Sequence, residues 1–408
     1  MKRNFVLAIL LLCACGKSAP LATGSSGAFG VVTVNGKQKL YLPLGGSANA
    51  VAVLDVGVAG SGLGGAQSLI KTIPISAAAF STAGDDSVVI AASTTSPTIW
   101  FIDPRTDTVT RTLGLVNAGT SSFTGGGGYV TGIAVDPAHQ RAVLSVFNGF
   151  SIVDLGAQAI SRTILSPPSE NFGYDSVHER ILAPFYNCSS AADANNDPLT
   201  LCNDFKTAAG ATITDGLNVI DLKDDTVYTY QDPAAANPAE PLGSEPDAAA
   251  VDPNSGLVVV PSEGASNTAI VDLSKARFDK AARSVTAPHK LIAADLTGIA
   301  VEAAHHLAVW EAEGTSEIAV SDLGVDGSFV TGQLPGPPGQ TSWENLGDPH
   351  GIAVAASILG GKPTGFFVSA DRKWVARVDL LGLLALPRGR TLGSGELAPL
   401  VTMLAASR

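Results

Sequence analysis

The sequence predicts an all-β protein, a seven-bladed β-propeller with four antiparallel strands per blade. Two observations carry this expectation. First, one pattern of residues recurs along the chain: "GIAVDPAHQRAVLSVFNGFSIVDL" from Gly132, "AAAVDPNSGLVVVPSEGASNTAIVDL" from Ala248 and "GIAVEAAHHLAVWEAEGTSEIAVSDL" from Gly298. Second, the third apolar run of each unit closes on an aspartate, and there are seven: Asp55, Asp103, Asp154, Asp221, Asp272, Asp322 and Asp379, spaced 48 to 67 residues apart. Short strands repeated at about 40 to 50 residues are the signature of propeller blades around a central channel.

Each unit has the same parts in the same order. A first apolar run ends near an acidic turn, a second run of four or five residues follows, and a third finishes in Asp. The runs alternate or are continuously β-branched, so they read as strands, and intervals such as "DPAHQR" read as tight turns. A fourth run follows in "TVTRTLGL" from Thr108, "AISRTIL" from Ala159 and "TVYTYQ" from Thr226. Stacked β-sandwiches would also give many short strands, but not at a regular period. The one interval of 67 residues, Asp154 to Asp221, contains an insertion in blade 4 at about 187–216, and without it the period returns. Each repeated Asp is expected to accept backbone N–H groups of its own turn, because seven copies around a ring cannot share one ligand.

Composition agrees with many turns and short strands: 44 Gly, 24 Pro and only 15% charged residues. The first residues, "MKRNFVLAILLLCACGKSAP", have a basic start, an apolar stretch from Phe5 to Leu12 and then small residues, the layout of a secretory signal. Leu12-Cys13-Ala14-Cys15 resembles the lipobox of bacterial lipoproteins. That resemblance implies acylation of Cys15, and Gly16 in place of an Asp implies the outer membrane. The domain plan is therefore a signal peptide at 1–14, a tether at 15–28 and a propeller at 29–408. An ordinary signal peptide cleaved around Ala19 to Ala22 is the other reading. Losing Lys2 and Arg3 takes the formal charge from −12 to −14, which argues against nucleic acid and anionic lipid surfaces as partners. Cys188 and Cys202 are the two cysteines outside the signal, and an oxidising envelope makes a disulfide around "CSSAADANNDPLTLC" the expectation. Metal ligation by the two thiolates is the alternative.

The unit "TIWFIDPRTDTVTRTLGL", Thr98 to Leu115, together with "GIAVDP", "GIAVEA" and "GIAVAA", resembles the YVTN and NHL groups of bacterial propellers. The resemblance covers nearly everything after about residue 28. It implies a fold and not a reaction.

Strand direction sorts the candidate residues onto two faces. Strand one runs down, two up, three down and four up, so the lead-in to strand one and the loop between strands two and three share the top, and the remaining turns share the bottom. His139, His178 and His305 fall in bottom turns of three blades, too dispersed for one metal. The top gathers Glu245, Asp247, Asp295, Asp348 and His350 from lead-ins and Glu263, Glu311 and Glu313 from loops, with Trp310 and Trp343 nearby in sequence. Asp247, Glu263, Glu311, Trp343, Asp348 and His350 are thus the candidate ligand-binding residues, and Asp247, Glu311 and His350 the candidate ligands of Ca2+ or another divalent cation. A solvated acidic surface is the other reading of the same acids.

"EPDAAAVD", Glu245 to Asp252, resembles the Pro-Asp segment of gluconolactonase and regucalcin-like propellers, which implies a calcium-ligand role for Asp247 alone. The Glu and Asn that complete that family's site have no counterparts in "FGVVTV" from Phe29 or in "TGIAV" from Thr131 or Thr297. "DANND", with Asp193, Asn195 and Asp197, opens like a calcium loop, but Pro198 stands where the turn needs Gly. Phosphate-loop, nucleophile-elbow, His-Glu-x-x-His and haem-attachment motifs are absent. The functional expectation is a lipid-anchored cell-envelope module that binds or scaffolds a protein, peptide or glycan without catalysis. The alternative is a metal-dependent hydrolase or a lactonase/lyase-like propeller enzyme.

Overall fold

A computed structural model describes residues 29–45, 48–57, 62–93, 96–115, 130–146, 149–167, 169, 171–186, 212–293, 297–325, 329–346, 352–358 and 362–406. The strands form seven sheets, each with four antiparallel strands at its heart. Blade 1 comprises Gly30–Val34, Lys37–Pro43, Ala50–Asp55 and Leu69–Pro74. Blade 2 comprises Ser81–Gly84, Val89–Ala92, Thr98–Asp103 and Thr108–Gly114. Blade 3 runs through Val130–Asp136, Arg141–Val146, Gly149–Asp154 and Ala159–Leu165. In blade 4 the strands are Gly173–Asp175, Arg180–Phe185, Gly216–Asp221 and Thr226–Tyr230. Blade 5 has Ala250–Asp252, Leu257–Ser262, Asn267–Asp272 and His289–Ala293. Blade 6 has Gly298–Glu302, Leu307–Glu311, Glu317–Asp322 and Phe329–Gln333. Blade 7 has Ile352–Ile358, Lys362–Val368, Trp374–Asp379 and Val401–Ala405. The seven-bladed all-β expectation holds.

Alternation along the strands explains the ring. In blade 1, Leu40, Leu42, Ala52 and Leu54 pack with blade 7, whereas Tyr41, Val51 and Val53, one position out of phase, pack with blade 2. Successive side chains leave a strand on opposite faces, so a blade buried on both sides needs apolar residues at both parities. The same division gives one apolar cluster at each of the seven blade interfaces. No blade has a core of its own.

All seven third-strand aspartates behave as expected. Their carboxylates accept backbone N–H groups of the following turn, from Gly57, Arg105, Ala157, Lys223, Ser274, Gly324 and Gly382 at 2.7–3.1 Å. The bottom turns share a further feature. Asp107, Gln140, Gln158, Glu179, Asp225 and His306, each the last residue before a strand, adopt left-handed φ between +50° and +58°. Such backbone costs a non-glycine residue about 1 kcal/mol.

Three blades depart from the repeat between strands three and four, where the chain reaches back to the outer edge of the preceding blade. Gly62–Gln67 of blade 1 adds a parallel strand to Val401–Ala405 of blade 7. The hairpin Arg277–Asp279 with Ser284–Thr286, from blade 5, adds in parallel to Thr226–Tyr230 of blade 4. Thr391–Leu392 of blade 7 adds in parallel to Phe329–Gln333 of blade 6. These three straps were not legible in the repeat, and the first of them closes the ring.

Candidate functional site

The bottom face is built for holding blades together. Lys39 of blade 1 donates to both carboxylate oxygens of Asp107 of blade 2 at 2.9 and 2.7 Å and to the Pro104 carbonyl at 2.9 Å, and Tyr41 donates to the same carboxylate. Burial first, and the Asp107 carboxylate next, push the Tyr41 phenol well above its usual range. At the interface of blades 3 and 4, Tyr174 donates to Asp136 while the Arg141 guanidinium donates to the Tyr174 oxygen at 3.1 and 2.9 Å and to Glu179 at 3.0 Å. Tyr174 is likewise raised, by burial and then by Asp136. The left-handed turn residues supply several of these contacts. Asp107, Glu179, Asp225 and His306 all reach the preceding blade, through Lys39, Arg141, Arg162 and Asp252 respectively. Their strained backbone aims the side chain across the interface.

His139, His178 and His305 lie in the bottom turns as expected. Each imidazole Nδ1 lies 2.7 Å from the acid three residues earlier, Asp136, Asp175 and Glu302. They belong to separate blades. His289 Nδ1 lies 3.0 Å from the Tyr230 hydroxyl.

The top face is irregular, and two long lead-ins dominate it. Residues 231–249, leading into blade 5, fold through successive turns closed by Ala235 N to Asp232 O, Glu240 N to Asn237 O and Gly243 N to Glu240 O, each 3.1 Å. The segment is clamped to blade 4 where Thr214 N and Asp215 N donate to Ala239 O at 3.0 and 3.3 Å and Glu245 N donates to the Asp215 carboxylate at 3.2 Å. The lead-in to blade 7 is fixed by Asn345. Its amide nitrogen donates to Ala312 O at 3.1 Å and Glu317 O at 2.9 Å, and its backbone N–H donates to Thr315 O at 2.6 Å. Sequence reasoning missed Asn345 because its partners are main-chain carbonyls of another blade, which leave no residue pattern.

The sequence-derived candidates are distributed as follows. Asp247 is buried, 6% exposed, and its carbonyl accepts Asn171 N at 3.4 Å, joining the lead-ins of blades 4 and 5. Glu263 is exposed, with its N–H on Glu245 O at 3.0 Å. Glu311 is fully buried at the top end of its strand, and its carbonyl accepts Thr297 N at 3.0 Å. Glu313 is exposed and donates its N–H to the Thr297 hydroxyl at 3.1 Å. The tryptophans turn inward. Trp343, 3% exposed, packs between blades 6 and 7 with its indole N–H on Asn345 at 2.7 Å, and Trp310 packs between blades 5 and 6. A large ring gains more from an apolar interface than from a solvated loop. Asp295, Asp348 and His350 lie outside the described residues, as do Cys15, Cys188, Cys202 and the Asp193–Asp197 segment. Among the described residues, no three His, Cys, Asp or Glu side chains gather where they could hold a metal ion. Asp247, Glu263 and Glu311 thus lie on the top of neighbouring blades 5 and 6, with Glu263 presented outward and the other two in the wall.

No family model matches the chain, and no curated protein does. Solved structures do. A functionally unknown protein from Desulfotomaculum acetoxidans is 13% identical over 88% of this chain and 96% of its own, with a TM-score of 0.52. The complex of KlAtg21 with the coiled-coil of AgAtg16 matches at 9% identity over 92% and 97%, with a TM-score of 0.50. Hydrazine synthase of Kuenenia stuttgartiensis matches at 11% over 95% and 89%, with a TM-score of 0.40. The likeness is one of fold. A propeller of this kind is consistent with a binding or scaffold module.

Proposed function

We propose that this protein is a binding module of the bacterial cell envelope, tethered by a lipid on Cys15 and engaging a protein, peptide or glycan through its top face. The observation that carries the reading is the contrast between the faces. The bottom repeats short turns, four of whose left-handed residues are spent on the preceding blade, whereas the top presents non-repeating loops, 231–249 and 334–346, held by hydrogen bonds to backbone carbonyls. Rigid scaffolds with variable loops on one side suit recognition. The repeat is of the YVTN and NHL kind on the strength of Thr98 to Leu115, and the Cys188–Cys202 disulfide would brace the blade 4 insertion on the same face.

The test compares the two faces. Envelope material retained by the immobilised protein should be lost on changing Glu263→Lys with Glu313→Lys on the top, and kept on changing His178→Ala with Gln158→Ala on the bottom. Retention that depends on the bottom pair instead would sink the proposal. For the anchor, Cys15→Ser should move the protein from the detergent phase to the aqueous phase; unchanged partitioning would remove that part.

A further inference from the structure

Of seven blade interfaces, six are bridged by the chain passing from one blade to the next. The seventh, between blades 7 and 1, joins residues more than 300 positions apart: the Arg372 guanidinium on Pro43 O at 2.9 Å, the Arg377 guanidinium on Val56 O at 2.7 Å, and the Ser68 hydroxyl on Ala405 O at 2.8 Å. All four strands of blade 7 come from the last part of the chain, so blade 1 contributes only the added strand Gly62–Gln67. We infer that this seam is a latch: the ring opens and recloses by release of Gly62–Gln67 from Val401–Ala405 while the other six interfaces stay intact.

Three observations point to this interface rather than another. Its strap is interrupted, with partners Thr402 to Gly62, Leu404 to Ala66 and Ala405 to Gln67 and a register shift between the first two, whereas the parallel straps on blades 4 and 6 pair without a shift. Both arginines named above are held on backbone carbonyls, and burial pulls each guanidinium below its usual value. Opening would return them to water, which offsets part of the contact energy lost. Finally, release at any other interface leaves the two blades tethered by a short connection and quick to reclose. Only at the seam does parting of two blades widen the whole ring, and with it the channel below the top loops.

Two engineered disulfides test the latch. Gly62→Cys with Thr402→Cys would lock the seam, and Thr331→Cys with Thr391→Cys would lock the comparable strap on blade 6, where those residues are register partners. The readout is the unfolding rate in denaturant, oxidised against reduced. Loop entropy acts on the unfolded chain and not on this rate when the transition state is compact. Oxidation should slow unfolding about tenfold or more at the seam and less than about twofold on blade 6, since only contacts broken before the transition state govern the unfolding rate. Equal slowing would overturn the proposal. Hydrogen exchange of the unsubstituted protein gives a second measure that needs no variant. Backbone amides of Gly62–Gln67 should open at lower free energy than those of Ser284–Thr286 and Thr391–Leu392, and the reverse order would equally overturn it.

Discussion

Blades 1 to 4 and blades 6, 7 and 1 solve the same problem by different means. In the first group each blade is fastened to the next by side chains: Lys39 to Asp107, Lys71 and Arg111 to the turn carbonyls of Thr106 and Ala157, Arg141 to Glu179, and Arg162 to Asp225. In the second, Thr391–Leu392 and Gly62–Gln67 add backbone strands to the fastening, beside the Arg372, Arg377 and Ser68 bonds at the seam. Backbone pairing makes few demands on residue identity, whereas a clasp depends on one side chain having the right charge and reach. The two halves should therefore differ in how much one substitution can do.

The largest effect is expected at the buried clasp. Asp107→Ala leaves Lys39 buried without its carboxylate and should destabilise the protein by about 4 kcal/mol, read from chemical denaturation, as when one partner of a buried pair is removed. Arg141→Met should follow at about 2–3 kcal/mol, because Asp136 and Glu179 lose their shared guanidinium while the Tyr174 bond to Asp136 survives. A loss below about 1 kcal/mol in both would show that the clasps do not hold blades 1 to 4.

A smaller, signed test uses the left-handed turns. Gln140 and Glu179 share the same backbone strain, with φ of 51° and 58°, but only Glu179 grips the preceding blade. Gln140→Gly should raise stability by about 1 kcal/mol, whereas Glu179→Gly should lower it despite the same relief of strain. Matching signs in thermal denaturation would break the argument that strain is retained for the clasp.

The smallest effect concerns the blade 5 hairpin on blade 4. A hydrogen bond from Lys280 holds the exposed Asp224 carboxyl down from its ordinary 3.8 to about 2. A lowered carboxylate contributes stability above its unfolded value and loses it as pH falls through its folded one, so this contact should be complete above about pH 4 and lost through about pH 2. Carboxyl titration followed by NMR should show that midpoint, and Lys280→Ala should raise it, leaving only the lowering by the Thr226 hydrogen bonds.

What the sequence disclosed follows the range of the interactions. The seven aspartates were legible because each acts within three residues of itself, and His139, His178 and His305 because turn position alone fixes their face. The straps were hidden for the opposite reason. Gly62–Gln67 pairs with a strand more than 300 residues away, and nothing in "GLGGAQ" names that partner. That Trp343 turns its ring into the interface of blades 6 and 7 was not legible, because sequence distance does not reveal which way a lead-in segment aims a side chain. Strand direction alone fixes the face on which Asp247, Glu263 and Glu311 stand, but whether each side chain faces outward or into the wall depends on packing.

The direction of the first strand has a consequence for geometry at the membrane. Gly30–Val34 runs downward, so the chain enters the propeller from the top, and Val401–Ala405 of the neighbouring blade runs upward and finishes there too. An anchor on Cys15 leaves 14 residues, 15–28, before Phe29. Fully extended they span no more than about 50 Å. If Cys15 carries the proposed lipid, Phe29 and the loops 231–249 and 334–346 share one face, and that face would lie within roughly that distance of the lipid surface.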